Sequence, residues 1–406
     1  VLDLTDEQGF YCGQLLGSLG ADVIKIERPG GDPARLIPPF LHGERNIENG
    51  LYWLSFNTNK RSITLNLETP EGKDVFRKLL KISDVVVESL PPGRMAALGF
   101  SYDELDRVNP KIILTSITPF GQEGPRSTWK GSDLVCWAMG GLLAQTGDPD
   151  RPPVRTSHIN FAYLMAGADA AWGTAIALYW RNKSGRGQHV TVSIQQSVAK
   201  TNFMAHEVFE VTGKEQKRAS SFYRVERSDV KLKSVWEAKD GYVAFLIFGG
   251  HWGATHDNPR LVKWIDEEGM ADDYLRSIDW AKLSWRRTPL DEVARIHGYV
   301  ERFFKSKTKA ELLEGAIKRR IAIQPVNTPG DILKHPQLEA RDYWQDLPLP
   351  DGTMVKYPSR FCLPSYSPCK QWRPAPKVGE HNLEIYCGLL GLSTGEVKSL
   401  HDKGVI

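Results

Sequence analysis

The residues best suited to chemistry in this 406-residue chain lie in the run LGADVIKIERPGGDPAR, where a β-branched stretch ends at Glu27 and Arg28. Gly30, Gly31 and Asp32 follow, and then Arg35. A guanidinium at the carboxyl end of a strand, beside glycines whose amides are free, can seat a phosphate. The same pattern also suits a solvated turn, and spacing alone favours the turn. Familiar catalytic motifs are missing: there is no phosphate loop of the G-x-x-x-x-G-K type, no G-x-G-x-x-G, no H-E-x-x-H and no G-x-S-x-G. Kinases, dinucleotide dehydrogenases, zinc proteases and α/β-hydrolases are therefore disfavoured. Cys12, Cys136, Cys362, Cys369 and Cys387 are odd in number and lack C-x-x-C spacing. That excludes a disulfide framework or metal site as an expectation and favours a reducing, cytoplasmic setting.

The elements that would position Arg28 and Arg35 alternate in type. VLDL, ADVIKIE, RSITLNL, DVVVES and KIILTSIT read as strands. Helical patterns over 13–20, 71–81 and 102–107 separate them. Strand and helix in alternation predict an α/β unit with a parallel, doubly wound sheet. Residues 168–180 read as a buried core helix, too short at about 13 residues to cross a bilayer, and GRGQHVTVSI follows as turn and strand. The boundaries expected are a large domain over 1–200, a linker over 201–227, a small α+β domain over 228–330, and a return segment over 331–406. The small domain is marked by a hairpin at Asp240 and Gly241 and by helices over 261–268, 289–305 and 309–319. Residues 348–376 are proline-dense and read as an extended excursion. Ser393 and Glu396 stand in capping-box spacing before a last helix.

The composition narrows the class. With 52 Lys+Arg against 49 Asp+Glu the net charge is +3, too balanced for a protein that wraps nucleic acid. A mean hydropathy of -0.36 argues against a polytopic membrane protein.

GADVIKIERPGGDPAR is accompanied by SFNTNKRSITLNLETPEGK, DVVVESLPPGRMAALGF, ITPFGQEGP, SGRGQHVTVSI, HPQLEARDYW and the terminal GEHNLEIYCGLLGLSTGEVKSLHDKGVI. In content and order these segments resemble the family III CoA-transferases, the group of formyl-CoA transferase, carnitine CoA-transferase and α-methylacyl-CoA racemase. The resemblance implies a Rossmann-like large domain with a parallel sheet built from both chain ends, a smaller central domain, and two chains interlocked like linked rings. It implies coenzyme A or an acyl-CoA as substrate, and no metal. Carried over by position, Gln8, Arg28, Arg35, Leu65, Ser89, Leu90, Arg94 and Lys130 would form the CoA site. Tyr52, Ser132, Tyr163, Gly249 and Gly250 would form the substrate pocket. Two departures stand out: Glu68 replaces a lysine, and Ala97 replaces a frequent arginine that Arg94, one helical turn earlier, could stand in for.

The larger departure concerns the nucleophile. The family's aspartate opens a D-L-x-A-G run and attacks the acyl-CoA thioester, because only a carboxylate forms the anhydride that keeps the acyl group activated. This chain reads Tyr163-Leu164-Met165-Ala166-Gly167. A phenol with an ordinary pKa of about 10 cannot do that chemistry. Asp169 lies about 240° round the helix from Tyr163, and Asp133 adjoins Ser132, which replaces the racemase histidine. A lone His158 nearby does not restore an acid/base pair. The resemblance therefore implies a non-catalytic subunit in a heterodimer or heterotetramer with a homologous, Asp-bearing chain. Such a complex would move CoA between a thioester such as succinyl-CoA and an acid such as 2-benzylsuccinate, as in anaerobic aromatic degradation. The alternatives are a self-sufficient homodimeric transferase or CoA-ester lyase using Asp169 or Asp133, and a non-enzymatic CoA-ester-binding protein.

Overall fold

A computed structural model describes residues 1–156, 158–225, 228–248, 257–359, 361–366 and 372–406. They form two units. The larger comprises Val1–Ala144, Arg155–Glu215 and Pro336–Ile406, and the smaller Gln145–Val154 and Gln216–His335.

The larger unit holds six strands: β1 (Leu2–Leu4), β2 (Val23–Glu27), β3 (Lys60–Thr64), β4 (Val85–Glu88), β5 (Ile113–Thr118) and β6 (His189–Ser193). All pair in parallel, in the order 3-2-1-4-5-6. This is the Rossmann order, whose topological switch point lies between β1 and β4. Every residue of β2, β4 and β5 is buried, as continuous β-branched runs require when helices cover both sheet faces. Helix Pro70–Lys81 is capped by the Thr69 hydroxyl, and helix Tyr102–Val108 by a Ser101–Glu104 capping box.

The apolar helix is longer than expected, running Phe161–Ser184 and ending at Gly185 in a left-handed conformation (φ 75°). Its length and composition would suit a membrane span, but Ala162, Ala166, Ala170, Thr174 and Ala177 are buried, and Thr174 Oγ1 bonds Thr115 of β5. Gly167 is required where this helix crosses helix Phe10–Ser18: an added Cβ would lie 2.9 Å from Tyr11 Cβ and 3.1 Å from Cys12 N.

Three like-charged and three oppositely charged groups sit beneath the sheet's carboxyl ends. Asp3 Oδ2 accepts from Lys60 Nζ at 2.8 Å, and Lys25 Nζ lies 3.9 Å from Asp3 Oδ1. Arg35 grips Glu27 through Nε (2.7 Å) and Nη2 (2.8 Å) and reaches Glu48 and the Pro376 carbonyl. All of Asp3, Lys25, Glu27, Arg35 and Lys60 are buried. Gly13 lets the first helix pass this pair, since a Cβ there would sit 2.3 Å from Asp3 Oδ2.

The larger unit is built from both chain ends, as expected, but its sheet is not: the last strand ends at Ser193. The C-terminal segment instead covers the open edge of β3. His381 N bonds Ser62 O, Asn382 Oδ1 accepts from Thr64 N, and Tyr386 Oη donates to Thr64 O. Ile385, Tyr386, Val397, Val405 and Ile406 then join the core with Leu79 and Phe76. A side-chain clasp protects an edge strand without extending the ladder. The last helix, Thr394–Asp402, carries the Ser393–Glu396 capping box. The stretch expected as a linker contains helix Phe203–Thr212, and the proline-dense excursion overlaps a hairpin of Trp344–Pro348 with Met354–Pro358.

In the smaller unit, Val235–Ala238 and Gly241–Ala244 form the expected hairpin, joined by Gln324–Pro325. Helices Asp257–Glu267, Leu290–Lys305 and Lys309–Arg319 surround a core that includes Trp236, Trp264, Ile296, Phe303 and Phe304.

Two predictions follow from the buried charges. Arg35→Ala removes the bidentate counter-charge of buried Glu27, leaving it Ser62, the Asp32 amide and the Lys25 charge, and should lower stability by about 3 kcal/mol in urea unfolding; an unchanged midpoint would refute the role. Glu88, 2% exposed at the end of β4, is pushed up to about 7 by burial, which outweighs its hydrogen bonds from Ser116 and the Leu90 amide. The native state then holds a proton that the unfolded chain has released, so stability falls as pH rises from about 4.5 to about 7. Glu88→Gln should remove a slope on the order of 3 kcal/mol across that window.

Candidate active site

The carboxyl ends of β1 and β4 define the crevice where open α/β sheets bind ligands. Here β1 runs into Thr5, Asp6, Glu7 and Gln8, and β4 into Ser89 and Leu90. Ser89 Oγ donates to Asp6 Oδ1 at 2.7 Å and accepts from the Asp6 amide at 2.8 Å, closing the switch point. Gln8 turns its amide and its Nε2 onto the Asp6 carboxylate at 3.0 and 3.1 Å. Its Oε1 is buried and has no hydrogen-bond partner among the described residues, so an acceptor is left for a ligand donor.

Of the residues expected to bind CoA, Gln8, Ser89 and Leu90 meet at this switch point. Leu65 follows β3, but it is buried in the core, with its amide on the Glu27 carbonyl. Arg28 is exposed beyond β2, with Nε on the Gly31 carbonyl at 3.2 Å. Lys130 is exposed on the loop before helix Asp133–Met139. Arg35 is a correction: with no exposed surface and its guanidinium engaged by Glu27, Glu48 and Pro376, it holds the sheet and is closed to an incoming phosphate. Arg94 pairs with Glu68, so the two departures noted in the sequence neutralise one another. Both partners are exposed, and a pair of that kind contributes little and opens readily to a polyanion.

The pocket residues converge on the start of the long helix. Ser132 caps helix Asp133–Met139, its Oγ accepting from Val135 N. Asp133 accepts from the Ala162 amide at 2.8 Å and also from the Tyr163 amide, so it caps the long helix across the gap. Its Oδ2 is buried without a hydrogen-bond donor among the described residues, 3.8 Å from Arg155 Nη1. Burial raises its pKa, and the two amides and Arg155 partly offset that. Tyr163 itself is buried. Burial first and the Glu7 carboxylate second push its phenol above the ordinary range, which removes any trace of phenolate chemistry near neutrality. Tyr52 is likewise raised by burial; it bonds Asn160 and lies 3.5 Å from the Glu7 carbonyl. Asp169 is ion-paired to Lys200. Gly249 and Gly250 lie outside the described residues.

Sequence reasoning passed over Glu7. Half-buried between β1 and the first helix, it is pushed up to about 7 by burial, and the Asp6 and Asp32 carboxylates add to the shift. The signal was available: Asp6 and Glu7 stand in the first strand-to-helix turn, where dinucleotide-binding folds carry glycines. Acidic side chains in this turn disfavour a bound pyrophosphate there.

Known proteins share this architecture. The chain resembles subunit BbsE of succinyl-CoA:(R)-benzylsuccinate CoA-transferase from Thauera aromatica, 35% identical over 96% of this chain and 93% of that one. It is 32% identical to formyl-CoA:oxalate CoA-transferase of Streptomyces avermitilis over 100% of this chain and 98% of its relative. A crystal structure of a CAIB/BAIF family protein from Brucella suis superposes with a TM-score of 0.81 at 28% identity, covering 96% and 97% of the two chains. Residues 1–382 match the profile of CoA-transferase family III, and the chain belongs to that family.

Proposed function

We propose that this chain is the subunit of a heteromeric CoA-transferase that does not carry the acyl relay, and that a homologous, Asp-bearing chain supplies the carboxylate. The reaction moves CoA from a thioester such as succinyl-CoA to a carboxylic acid such as 2-benzylsuccinate. The observation that carries the reading is Tyr163, a buried phenol where the family's nucleophile stands. The two carboxylates weighed as substitutes are engaged: Asp133 by the amides of the long helix and Asp169 by Lys200. The relative's designation as a subunit supports a partner. So does the larger unit's surface: Trp172 (73% exposed), Ile176, Tyr179 and Trp180 form one stripe of the long helix, and no residue of helix Phe203–Thr212 is buried. Apolar surface on this scale marks an interaction site, and a homologous chain fits it.

Within the site, the exposed cations Arg28 and Lys130 receive the phosphates of CoA, and Arg94 does so once released from Glu68. Gln8 Oε1 and the Ser89–Leu90 turn meet the nucleotide. Tyr52, Ser132 and Tyr163 shape the acyl end of the pocket.

The test is CoA exchange from succinyl-CoA to benzylsuccinate, measured for the chain alone and with an Asp-bearing homologue. The pair should turn over at least about 100-fold faster than the chain alone, and alanine at the partner's nucleophile should remove that gain. Fast turnover by the chain alone, abolished by Asp169→Ala, would overturn the assignment.

A further inference from the structure

A row of polar side chains crosses an otherwise apolar face of the sheet. Glu88 on β4 stands opposite Ser116 on β5 in the parallel register, and His189 on β6 stands opposite Leu114, two residues back along β5. Alternation along a strand puts Ser116 on the face of Leu114, and Glu88 on the face of Val86. Leu114 and Val86 belong to the core that holds Phe76, Leu79 and Leu105, so a polar row in this layer has to satisfy itself. It does so by hydrogen bonds. Ser116 Oγ bonds His189 Nε2 at 2.9 Å and also bonds the Glu88 carboxylate. Glu88 Oε2 accepts from the Leu90 amide at 2.7 Å. One end of the row therefore grips the Ser89–Leu90 turn at the switch point. The other end is exposed: His189 stacks on Tyr102 with ring centroids 5.8 Å apart, and no described residue bonds its Nδ1.

We propose that Glu88 is a positioning residue for the Ser89–Leu90 turn of the CoA site, and that its hold on the Leu90 amide is set by a proton delivered from solvent through His189 and Ser116. The inference rests on the reading of that turn as part of the CoA site. The single hydroxyl proton of Ser116 decides the polarity of the row. With Glu88 ionised, Ser116 donates to the carboxylate and His189 donates Nε2–H to Ser116 Oγ. With Glu88 protonated, its O–H donates to Ser116 Oγ and Ser116 donates to a bare Nε2, so the imidazole carries its proton on Nδ1. The transfer balances: solvent gives a proton to Nδ1, Nε2 gives one to Ser116, and Ser116 gives one to Glu88. No charge stays on the serine or the imidazole.

An ionised carboxylate accepts from an amide about twice as strongly as a neutral carboxyl does, so the turn is firmer when Glu88 is charged. Burial and the Asp6 carboxylate beyond β1 oppose that charge, the bonds from Ser116 and Leu90 favour it, and the balance lies at about 7. The other charged groups on the neighbouring elements are paired: Arg94 with Glu68 on the helix that follows the turn, and Arg186 with Asp106 beside Tyr102. Burial raises the Tyr102 phenol, which stays neutral. Burial also holds His189 below the usual imidazole range, so it relays a proton and does not keep one at neutral pH.

Nitrogen-15 NMR of the histidine rings in the purified full chain reads the polarity of the row directly. As the pH rises through the window, His189 should pass from the Nδ1–H to the Nε2–H tautomer with a midpoint at about 7. In Glu88→Gln the side-chain amide donates to Ser116 Oγ at every pH, so the tautomer should stay on Nδ1. Ser116→Ala cuts the row but leaves the Glu88–Leu90 bond, and should also remove the response. CoA affinity, measured by calorimetry, should weaken on acidification on the order of fivefold more in the wild type than in Glu88→Gln; comparison with the variant cancels the titration of CoA's own phosphates. A His189 tautomer that does not change with pH, or one that still switches in Glu88→Gln, would overturn the proposal. Equal pH dependence of CoA affinity in the two proteins would overturn it as well, with the CoA site intact. If neither protein binds CoA at any pH while the tautomer still switches, the reading of the turn as a CoA site fails, and the positioning role falls with it.

Discussion

Everything at the head of the sheet hangs on charges that water cannot reach. Asp3 on β1, Lys25 and Glu27 on β2, Lys60 on β3 and Arg35 beyond β2 are all buried. Removing any one partner would strand its opposite charge in a low-dielectric interior, a cost of several kcal/mol. The three strands and the returning C-terminal segment are therefore held in one register. Arg35 and Trp53 both donate to the Pro376 carbonyl, and Glu48 accepts from the Val378 amide. The apolar core provides most of the stabilisation, and the ions fix which arrangement of the core is adopted.

That constraint shapes the ligand crevice. A dinucleotide fold with glycines in its first turn brings a helix N-terminus to the pyrophosphate. This chain fills the turn with Asp6 and Glu7 and moves its cations to the rim, at Arg28, Lys130 and the Arg94–Glu68 pair. The scaffold of a CoA-transferase is kept while the electrostatics of its centre are changed. At the start of the long helix Tyr163 is a buried phenol, and the nearby Asp133 carboxylate serves as a cap to that helix's first amides.

The first turn, the charges near Tyr163 and the exposed aromatic stripe of the long helix can vary without loss of fold, because the sheet is secured by a separate set of ions. The acidic groups at the head of the sheet and on the long helix are sorted by their partners: Asp3 and Asp169 pair with lysines and Asp133 with helix amides, whereas Glu7 has only its own amide and no ion pair among the described residues.

Strand positions, the α/β class, the hairpin at Asp240 and the capping box at Ser393 were legible in the sequence, because periodicity and capping chemistry are local. The family was legible too, through its ordered motifs. Tertiary structure alone decided the rest. Arg35 looked like a phosphate ligand by type and spacing, but its role depends on Glu27, Glu48 and Pro376, the last of them 341 residues away. The C-terminal segment belongs to the larger unit as expected, but it closes β3's edge through one backbone bond from His381 and the side chains of Asn382 and Tyr386, a pairing that leaves no strand periodicity to read. Glu7 drew no notice as one acid among 49 acidic residues. Its distinction is burial without a counter-charge, and that exists only once the chain has folded around it.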